Sequence, residues 1–371
     1  MPNQRLRFTV VGAGHGGQAM AAYLAQRGHS VSLLNKSFDR IRLIAEAGGI
    51  YLKGVLDGLA RLDRITIDPE AAIERAHVIL VVVPANAHGA VAARLAPFLT
   101  NGQIVILNPG RTGGALEFRN ILRQEGNLQN IIIAETQTFL FASRVTKPIE
   151  VTIYGVKRRV GMAALPANRT AEVLERVSRA FPQFYSVNSV LDTSLDNLGA
   201  IFHPAPTLLN AARIETTGGD FEYYREGISP AVARVLESMD EERLAIARAY
   251  GVHGNSALRW LRRTYGARGR TLYEAVQNTF AYRGIPAPAN LNTRYLFEDV
   301  PSSLVPMVAL GHLAAVPTPT IETIVNLSCT ISGEDYWSSG RNLDRLGLEG
   351  MSAADIRLWV GEGIGPEERT G

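Results

Sequence analysis

Hydrophobic positions in the first half of the chain fall into short apolar runs, separated by stretches that repeat apolar residues at helical spacing. The short runs predict buried strands at residues 6–11, 31–34, 78–83, 104–107, 131–134 and 184–187, and the segment that begins at residue 151 predicts one more before the helix at 168–180. The stretches between them predict helices that include residues 18–27, 89–98, 116–123 and 168–180. Strands that alternate with helices in this way favour an α/β fold with a doubly wound parallel sheet.

A glycine-rich loop, GAGHGG, connects the first predicted strand to the first predicted helix. In this position the motif indicates a dinucleotide-binding Rossmann unit, because Gly12 permits the tight turn and Gly14 lets the backbone approach a pyrophosphate. Gly17 lets the helix pack closely on the strand, and the phosphates bind the free N–H groups at the helix start. We expect His15 and Gly16 to contact the cofactor as well. A flavin site or a Rossmann variant without a nucleotide is the alternative interpretation.

The pattern changes near residue 192, where long helical periodicity with few β-branched runs begins. A chain of 371 residues is too long for one ordinary core and suits two domains. We therefore expect an NAD(P)-binding Rossmann domain over residues 1–188 and an all-α C-terminal domain over residues 189–371.

The residues after the second predicted strand bear on the choice of cofactor. Enzymes that use NAD place a carboxylate there, which accepts hydrogen bonds from the ribose hydroxyls. Here the position holds Asn35, followed by Lys36 and, one turn later, Arg40. An asparagine does not repel a 2′-phosphate, and the two cations attract it, so the sequence predicts NADP in preference to NAD. Alternatively, Lys36 and Arg40 are solvated charges at the start of a surface helix.

Ligands of doubly wound sheets bind at the carboxyl ends of the strands, and one loop there is rich in small residues. Pro84, Ala85 and Asn86 follow the third predicted strand, and we expect them to contact the nicotinamide half of the cofactor. His88 of the same loop is better explained by turn structure than by catalysis.

Composition narrows the classes of partner and compartment. The net charge is only +3 and the basic residues are scattered, which argues against a nucleic-acid partner. The longest apolar run, residues 78–84, is too short to cross a bilayer, and the polar N-terminus leads straight into a strand. We therefore expect no membrane segment and no signal peptide. A single cysteine, Cys329, excludes an internal disulfide, so we expect the protein to work in the cytoplasm. We also expect no metal site.

Two segments of the second domain carry residues suited to chemistry. His203 lies at an apparent break between helical stretches and precedes Pro204, which suits the first turn of a helix. The segment RYLFEDVP contains Arg294 and Asp299 and ends at Pro301. A histidine paired with an aspartate can act as a general acid/base, and a nearby arginine can bind a carboxylate in bidentate fashion. From spacing alone, a structural histidine is the better interpretation.

Taken together, these segments resemble the octopine/nopaline (opine) dehydrogenase family over nearly the whole chain. The segments are GAGHGG, VVVPANAH, NPGRTGG, ETQTFLFASR, LGAIFHPAPTLLNA, RYLFEDVP, PTPTIETIV and GRNLDRLGL. The resemblance implies a Rossmann domain followed by an α-helical domain, with the active site in the cleft between them. It also implies NAD(P)H-dependent reductive condensation of an α-keto acid with the amino group of an amino acid. The product is an N-(carboxyalkyl) amino acid, and the reaction also runs in reverse as an oxidation.

The same resemblance implies roles for single residues. His203 matches the family's catalytic histidine, Asp299 matches its partner, and Arg294 matches the arginine that engages a substrate carboxylate. Because the imine lies between two carboxylates, we also expect polar groups such as Asn210 and Thr138 to bind substrate. The small-molecule substrates are thus an α-keto acid and an amino acid, and the apolar helical domain suggests a homodimer.

Two other functions stay open at this point. A reductase of the ketopantoate or β-hydroxyacid type would reduce a C=O bond, but such enzymes usually rely on a catalytic lysine. All lysines here precede the helical domain, at Lys36, Lys53, Lys147 and Lys157. A non-catalytic Rossmann protein that senses nucleotides is disfavoured by the joint presence of His203, Arg294 and Asp299.

Overall fold

The structure is a computed structural model that describes residues 5–127 and 129–364. It divides into two compact units. The first unit holds the chain up to Gly110, together with Gly114–Thr193 and Trp359–Ile364, and the second holds Arg111–Gly113 and Ser194–Leu358. The single boundary expected at 188/189 stays a prediction. It does not account for residues 111–113, which belong to the second unit, or for residues 359–364, which belong to the first.

The first unit is built on an open sheet that is mostly parallel. The strands of the described chain are β1 (Arg7–Val11), β2 (Ser30–Leu34), β3 (Gly49–Gly54), β4 (Gly58–Arg61), β5 (Arg64–Thr66), β6 (Val78–Val81), β7 (Ile104–Leu107), β8 (Ile132–Thr136), β9 (Phe141–Lys147), β10 (Glu150–Val156), β11 (Val160–Leu165) and β12 (Phe184–Ser186). Eight of them form one sheet in the order β12-β11-β8-β7-β6-β1-β2-β5. From β8 to β5 all neighbours pair in parallel, which confirms the predicted doubly wound α/β fold.

Helices connect these strands, and four of the six overlap the four helices predicted in this part of the chain. They are α1 (His15–Gln26), α2 (Arg42–Ala47), α3 (Pro69–Ile73), α4 (His88–Leu95), α5 (Gly114–Gln124) and α6 (Thr170–Val177), with 3₁₀ turns at Ala85–Ala87, Ala96–Phe98 and Ala167–Arg169. Local chemistry explains where several begin and end. The Asp68 side chain accepts the N–H of Glu70 at the start of α3, and Gly28, in the left-handed region with φ of 82°, follows the end of α1.

Two features of the first unit differ from the sequence expectation. The strand β11 pairs antiparallel with β8 and parallel with β12, so one edge of the main sheet runs against the rest. A second sheet, in the order β4-β3-β10-β9, was not predicted at all. It packs on α1, which also contacts β1 and β2 of the main sheet. Contacts with both sheets explain why residues 17–24 of this helix are buried without a polar face.

After β12 the described chain is helical apart from one isolated β-bridge between Glu222 and Pro286. The helices are α7 (Val190–Leu195), α8 (Gly199–Phe202), α9 (Pro204–Leu209), α10 (Ala211–Thr217), α11 (Pro230–Ala249), α12 (Ala257–Tyr265), α13 (Leu272–Asn278), α14 (Arg294–Phe297), α15 (Val305–Leu313), α16 (Pro319–Ser332), α17 (Tyr336–Ser339), α18 (Leu343–Leu346) and α19 (Ala353–Glu362). A 3₁₀ turn lies at Phe280–Tyr282, and a π-helical turn at Val300–Leu304. The prediction of an all-α C-terminal part is confirmed.

Candidate active site

The glycine loop has the geometry that a dinucleotide requires. Gly12 has φ of 109°, and a Cβ at this residue would overlap the carbonyl oxygen of Val82. A Cβ at Gly17 would overlap the carbonyl oxygen of Gly12. A Cβ at Gly14, in contrast, would meet no protein atom within 4 Å. Gly14 is the N-cap of α1 and supplies no side-chain cap, so the first N–H groups of the helix are available to a ligand. The loop therefore fits a pyrophosphate at the helix start.

Asn35 supports this loop from the end of β2. Its Oδ1 accepts a hydrogen bond from the backbone N–H of Ala13 at 3.1 Å, and its Nδ2 donates to the carbonyl oxygen of Ser37 at 2.9 Å. The predicted cationic neighbours, Lys36 and Arg40, are both exposed. The asparagine thus fixes the loop by neutral hydrogen bonds and places no negative charge beside the two cations.

His15 identifies a third cation that sequence reasoning missed. Burial, and after it the charges of Arg144 and Arg40, lower the pKa of the His15 imidazole. Its Nδ1 accepts the backbone N–H of Val145 at 2.9 Å, which requires that nitrogen to be unprotonated. Arg144 and Val145 belong to β9 in the second sheet. Because that sheet was not predicted, the sequence held no signal that brought Arg144 to the glycine loop.

Two further loops border the glycine loop. The carbonyl of Val82, between β6 and Pro84, lies against Gly12, and the ring of Phe139 lies against Gly16. Pro84 precedes the 3₁₀ turn that contains Ala85 and Asn86.

Thr138, one residue before that phenylalanine, accepts a hydrogen bond from Lys157 Nζ at 2.6 Å. Its own hydroxyl hydrogen is not used in that bond. Its predicted contact with substrate stays a prediction.

In the second unit, His203 and Asp299 form a close pair. His203 is both the C-cap of α8 and the N-cap of α9, which begins with Pro204 as predicted. Its Nδ1 lies 2.8 Å from Asp299 Oδ2, and the aspartate side chain is fully buried. An aspartate hydrogen-bonded to Nδ1 fixes the tautomer and leaves Nε2 to exchange a proton with a ligand.

The backbone and ring of His203 are held as well. Its carbonyl oxygen accepts hydrogen bonds from the hydroxyls of Tyr223, at 2.6 Å, and Thr207, at 2.8 Å. The ring of Tyr295 stacks on the imidazole, with centroids 4.3 Å apart and an interplanar angle of 19°. The two hydrogen bonds hold the backbone of His203, and the stacked ring opposes rotation of the imidazole.

Arg111 accompanies the pair, although sequence reasoning did not single it out. Its Nη2 lies 3.6 Å from Asp299 Oδ1, and its Nε lies 3.6 Å from Glu298 Oε1. Burial by itself would raise the pKa of the Asp299 carboxyl. The charge of Arg111, and after it the charge and hydrogen bond of His203, outweigh burial and hold that pKa below its usual value.

Arg294 and Glu298 lie one helical turn apart at α14. Arg294 Nη2 is 2.7 Å from Glu298 Oε2, and the glutamate side chain is only 2% exposed, whereas that of Arg294 is 56% exposed. Arg294 therefore pairs with Glu298, the neighbour of Asp299 in the chain, and its charge also helps to lower the pKa of Asp299. Glu298 stands inside the RYLFEDVP motif, yet its part as a buried partner was not predicted.

Asn210 lies at the other end of α9 from His203. Its Nδ2 donates to the carbonyl oxygens of Pro206 and Gly227, both at 2.8 Å. Any contact with substrate would therefore use its Oδ1, and that contact stays a prediction.

The GRNLDRLGL segment also gains a structural explanation. Buried Arg341 donates from Nη1 to the carbonyl oxygen of Thr112 at 2.8 Å. The N–H of Thr112 in turn donates to the carbonyl oxygen of Ser302, in the π-helical turn after Asp299. Arg341 thus holds the segment that carries Arg111.

Comparison with known proteins bears on the family. A family model described as the α-helical domain of NAD/NADP octopine/nopaline dehydrogenase matches residues 186–332. A second model, the N-terminus of NAD-dependent glycerol-3-phosphate dehydrogenase, matches residues 7–118. The opine dehydrogenase of Arthrobacter sp. (strain 1C) is 46% identical over 354 residues, which cover 95% of this chain and 98% of that protein. The chain belongs to the opine dehydrogenase family.

Solved structures agree with this family in fold. An octopine dehydrogenase with NADH and L-arginine superimposes with a TM-score of 0.80 at 20% identity, over 95% of this chain and 97% of that one. A yersinopine dehydrogenase with NADP⁺ bound gives 0.74 at 15% identity, over 99% of each chain. Opine dehydrogenases are NAD(P)-dependent oxidoreductases that act on CH–NH donors, so family membership makes this chain an enzyme of that class.

Within the described residues, no group of three or more His, Cys, Asp or Glu side chains could hold a metal ion. In the same part of the chain, no helix has the length and apolar character needed to cross a membrane.

Proposed function

We propose that this protein is an opine dehydrogenase in which His203 is the general acid/base, Asp299 its partner, and NADP the preferred cofactor. The reaction is the reductive condensation of an α-keto acid with the amino group of an amino acid, and its reverse. The observation that carries the proposal is the His203–Asp299 pair, at 2.8 Å, in a chain of the opine dehydrogenase family.

His203 would handle the protons. Condensation removes the keto oxygen as water, so an acid must protonate that oxygen and a base must accept a proton from the amine. Nε2 of His203 can do both, because Asp299 occupies Nδ1 and stabilises the imidazolium that forms. When bound, the nicotinamide cofactor supplies the hydride that reduces the imine carbon.

The carboxylates of the substrates need cations. Arg294 is half exposed and can offer its planar guanidinium to one of them in bidentate fashion. Asn210 Oδ1 and the Thr138 hydroxyl are proposed as further polar contacts to the substrates.

NADP would be held by unit 1. Gly12, Gly14, Gly16 and Gly17, with His15, would hold the pyrophosphate, and Pro84, Ala85 and Asn86 the nicotinamide half. Exposed cations at Lys36, Arg40 and Arg144 would attract a 2′-phosphate, because Asn35 adds no negative charge to oppose it. We further propose that the enzyme works in the cytoplasm as a homodimer.

A single assay tests the reaction. NADPH oxidation is followed with pyruvate alone and with pyruvate plus each of a panel of amino acids. Activity that requires both partners, with an N-(carboxyethyl) amino acid detected by mass spectrometry, supports the proposal. Activity with the keto acid alone would instead indicate a C=O reductase, and NADPH binding without turnover would indicate a nucleotide sensor.

A further inference from the structure

We propose that Arg111 is a positioning residue, the permanent counter-ion of both Asp299 and Glu298, which leaves Arg294 free to bind a substrate carboxylate. The proposal rests on the proposed function, because it assigns Arg111 a task in that same site.

The positions of the two arginines differ in a way that fits different tasks. Arg111 lies 3.6 Å from a carboxylate oxygen of each acid, and its side chain is only 16% exposed. Arg294 contacts Glu298 and is 56% exposed. A substrate can therefore recruit Arg294 from solvent, whereas Arg111 stays inside with the two carboxylates.

Charge makes Arg111 necessary when Arg294 moves. Glu298 is 2% exposed, and an anion so deeply buried is very unfavourable without a cation beside it. If Arg294 turned to a substrate carboxylate, Arg111 would remain within 4 Å of Glu298 and of Asp299. Arg294 can therefore move to a substrate while Arg111 still provides a cation beside both buried carboxylates.

The backbone around Arg111 is built to hold it there. Arg111 has φ of 62°, a left-handed conformation that a residue with a side chain rarely adopts. Next to it, Thr112 is fixed by its N–H to Ser302, by its hydroxyl to Ser194, and by Arg341 on its carbonyl oxygen. These bonds fix the residue that follows Arg111, and so oppose relaxation of the backbone.

Gly199 leaves the space that the Arg111 guanidinium needs. A Cβ added at Gly199 would lie 2.7 Å from Arg111 Nη1 and 3.4 Å from His203 Cε1. Glycine at this position therefore leaves the space that the Arg111 guanidinium occupies close to the His203 ring.

Arg111 and Asp299 also have hydrogen-bonding capacity to spare. Arg111 Nε and Asp299 Oδ1 are buried without a hydrogen-bond partner among the described residues. Their ion-pair distances of 3.6 Å are too long for a hydrogen bond. A small inward movement of the Arg111 side chain on substrate binding would complete these hydrogen bonds. Hydrogen bonds in active sites are often long without substrate and shorten in the substrate complex.

The ionisation of Asp299 makes the pH dependence of activity a measure of what Arg111 does. The charged or titratable groups facing Asp299 are Arg111, His203, Arg294, Tyr223 and Tyr295, with Glu298 adjacent in the chain. Removal of the Arg111 charge raises the pKa of Asp299, so the aspartate becomes protonated at a higher pH. Activity that needs the ionised aspartate is then lost earlier as the pH falls.

The experiment compares Arg111→Met and Arg111→Lys with the wild type in kcat, in KM for each substrate, and in NADPH affinity, from about pH 5 to about pH 9. For Arg111→Met we expect kcat to fall at least about tenfold and the acidic limb of the pH profile to move to higher pH. The lysine variant should move the limb back toward the wild-type position. NADPH affinity should be unchanged in both.

Arg243→Met is the matched control. Arg243 is another fully buried arginine of the same unit, paired with Asp240 at 2.6 Å, so its loss also removes a buried ion pair. We expect it to lower stability and to leave the pH profile in place. An equal shift of the profile in this control would mean that the effect of Arg111 is only structural, and would overturn the proposal.

Other outcomes also decide. A higher substrate KM with an unmoved acidic limb would make Arg111 a substrate-binding residue and contradict the proposal. If Arg111→Met does not fold, Arg111→Lys and Arg111→Gln give the same comparison of profiles. A wild type without opine synthesis defeats the proposed function itself, whereas an active wild type with unshifted Arg111 variants defeats only the present proposal.

Discussion

The ring of Tyr295 stacks on the imidazole of His203, with centroids 4.3 Å apart. Asp299 fixes one nitrogen of the imidazole, and the tyrosine fixes the plane of the ring. An imidazole held in this way presents Nε2 in one direction, which a proton transfer to a bound substrate requires.

Replacement of Tyr295 separates the stacking from the hydroxyl. Tyr295→Ala removes the stacked ring, and we expect kcat to fall about tenfold because the imidazole gains freedom to rotate. Tyr295→Phe keeps the ring and should retain most of the activity. The measurement is kcat for opine synthesis at saturating NADPH. Equal losses in the two variants would show that the hydroxyl, rather than the stacking, matters.

Replacement of His203 tests its proposed role as the general acid/base. His203→Ala should lower kcat at least about a hundredfold, the usual scale for loss of a general acid/base. NADPH binding, measured by fluorescence titration, should be unchanged. Turnover within a few-fold of the wild type would remove His203 from the mechanism.

Asp299 links the site to stability at low pH. Its folded-state pKa is depressed, so its ionised form stabilises the protein above its unfolded pKa of about 3.9, and this contribution is lost as pH falls through the folded value. Asp299→Asn also removes one of the two buried carboxylates that pair with Arg111. We expect the variant to be less stable than the wild type by about 3 kcal/mol at pH 7.

The difference in free energy of unfolding between the wild type and Asp299→Asn should narrow below about pH 4, because the wild type then loses its own ionised aspartate. Urea unfolding of both proteins across this pH range measures that difference. Asp68→Asn is the control, since Asp68 caps α3 on the surface and asparagine caps a helix about as well. A stability difference that stays constant as the pH falls would contradict the linkage.

The α/β sheet could be predicted because buried parallel strands and the helices between them leave distinct hydrophobic periods. The second sheet could not. Its strand β3 alternates buried Ile50 and Leu52 with exposed Tyr51 and Lys53, but it pairs with β10, far along the chain, and a local pattern does not identify so distant a partner. The direction of β11 was also missed, because the apolar pattern of a buried strand is the same in both directions.

The site was predictable to a similar degree. The helix break at His203 can be derived from its proline, but pairing with Asp299 across 96 residues came only from family resemblance. Arg111 was missed although it stands in the NPGRTGG loop, because its partners are still further away along the chain. Its left-handed backbone gave no signal either, since arginine is not a residue that predicts such a turn.

The glycine loop offers a paired test of fold against cofactor binding. Gly14→Ala adds a methyl group where no protein atom lies within 4 Å, so stability should change by less than about 0.5 kcal/mol. The same methyl group would obstruct a pyrophosphate, and NADPH affinity should fall at least about tenfold. Gly17→Ala would force its methyl group onto the Gly12 carbonyl and should lower stability by about 2 kcal/mol. Unchanged NADPH affinity in Gly14→Ala would place the cofactor elsewhere.

Asn35 offers the sharpest test of cofactor choice. Asn35→Asp keeps an acceptor for the Ala13 N–H and adds a negative charge beside the proposed 2′-phosphate site. We expect the preference for NADPH over NADH, measured as a ratio of kcat/KM, to fall at least about tenfold. Arg144→Ala should lower the same ratio, whereas Arg42→Ala removes an exposed arginine paired with Glu46 and should leave it unchanged. A wild type that prefers NADH, or a ratio that Asn35→Asp does not move, would contradict the proposed 2′-phosphate site.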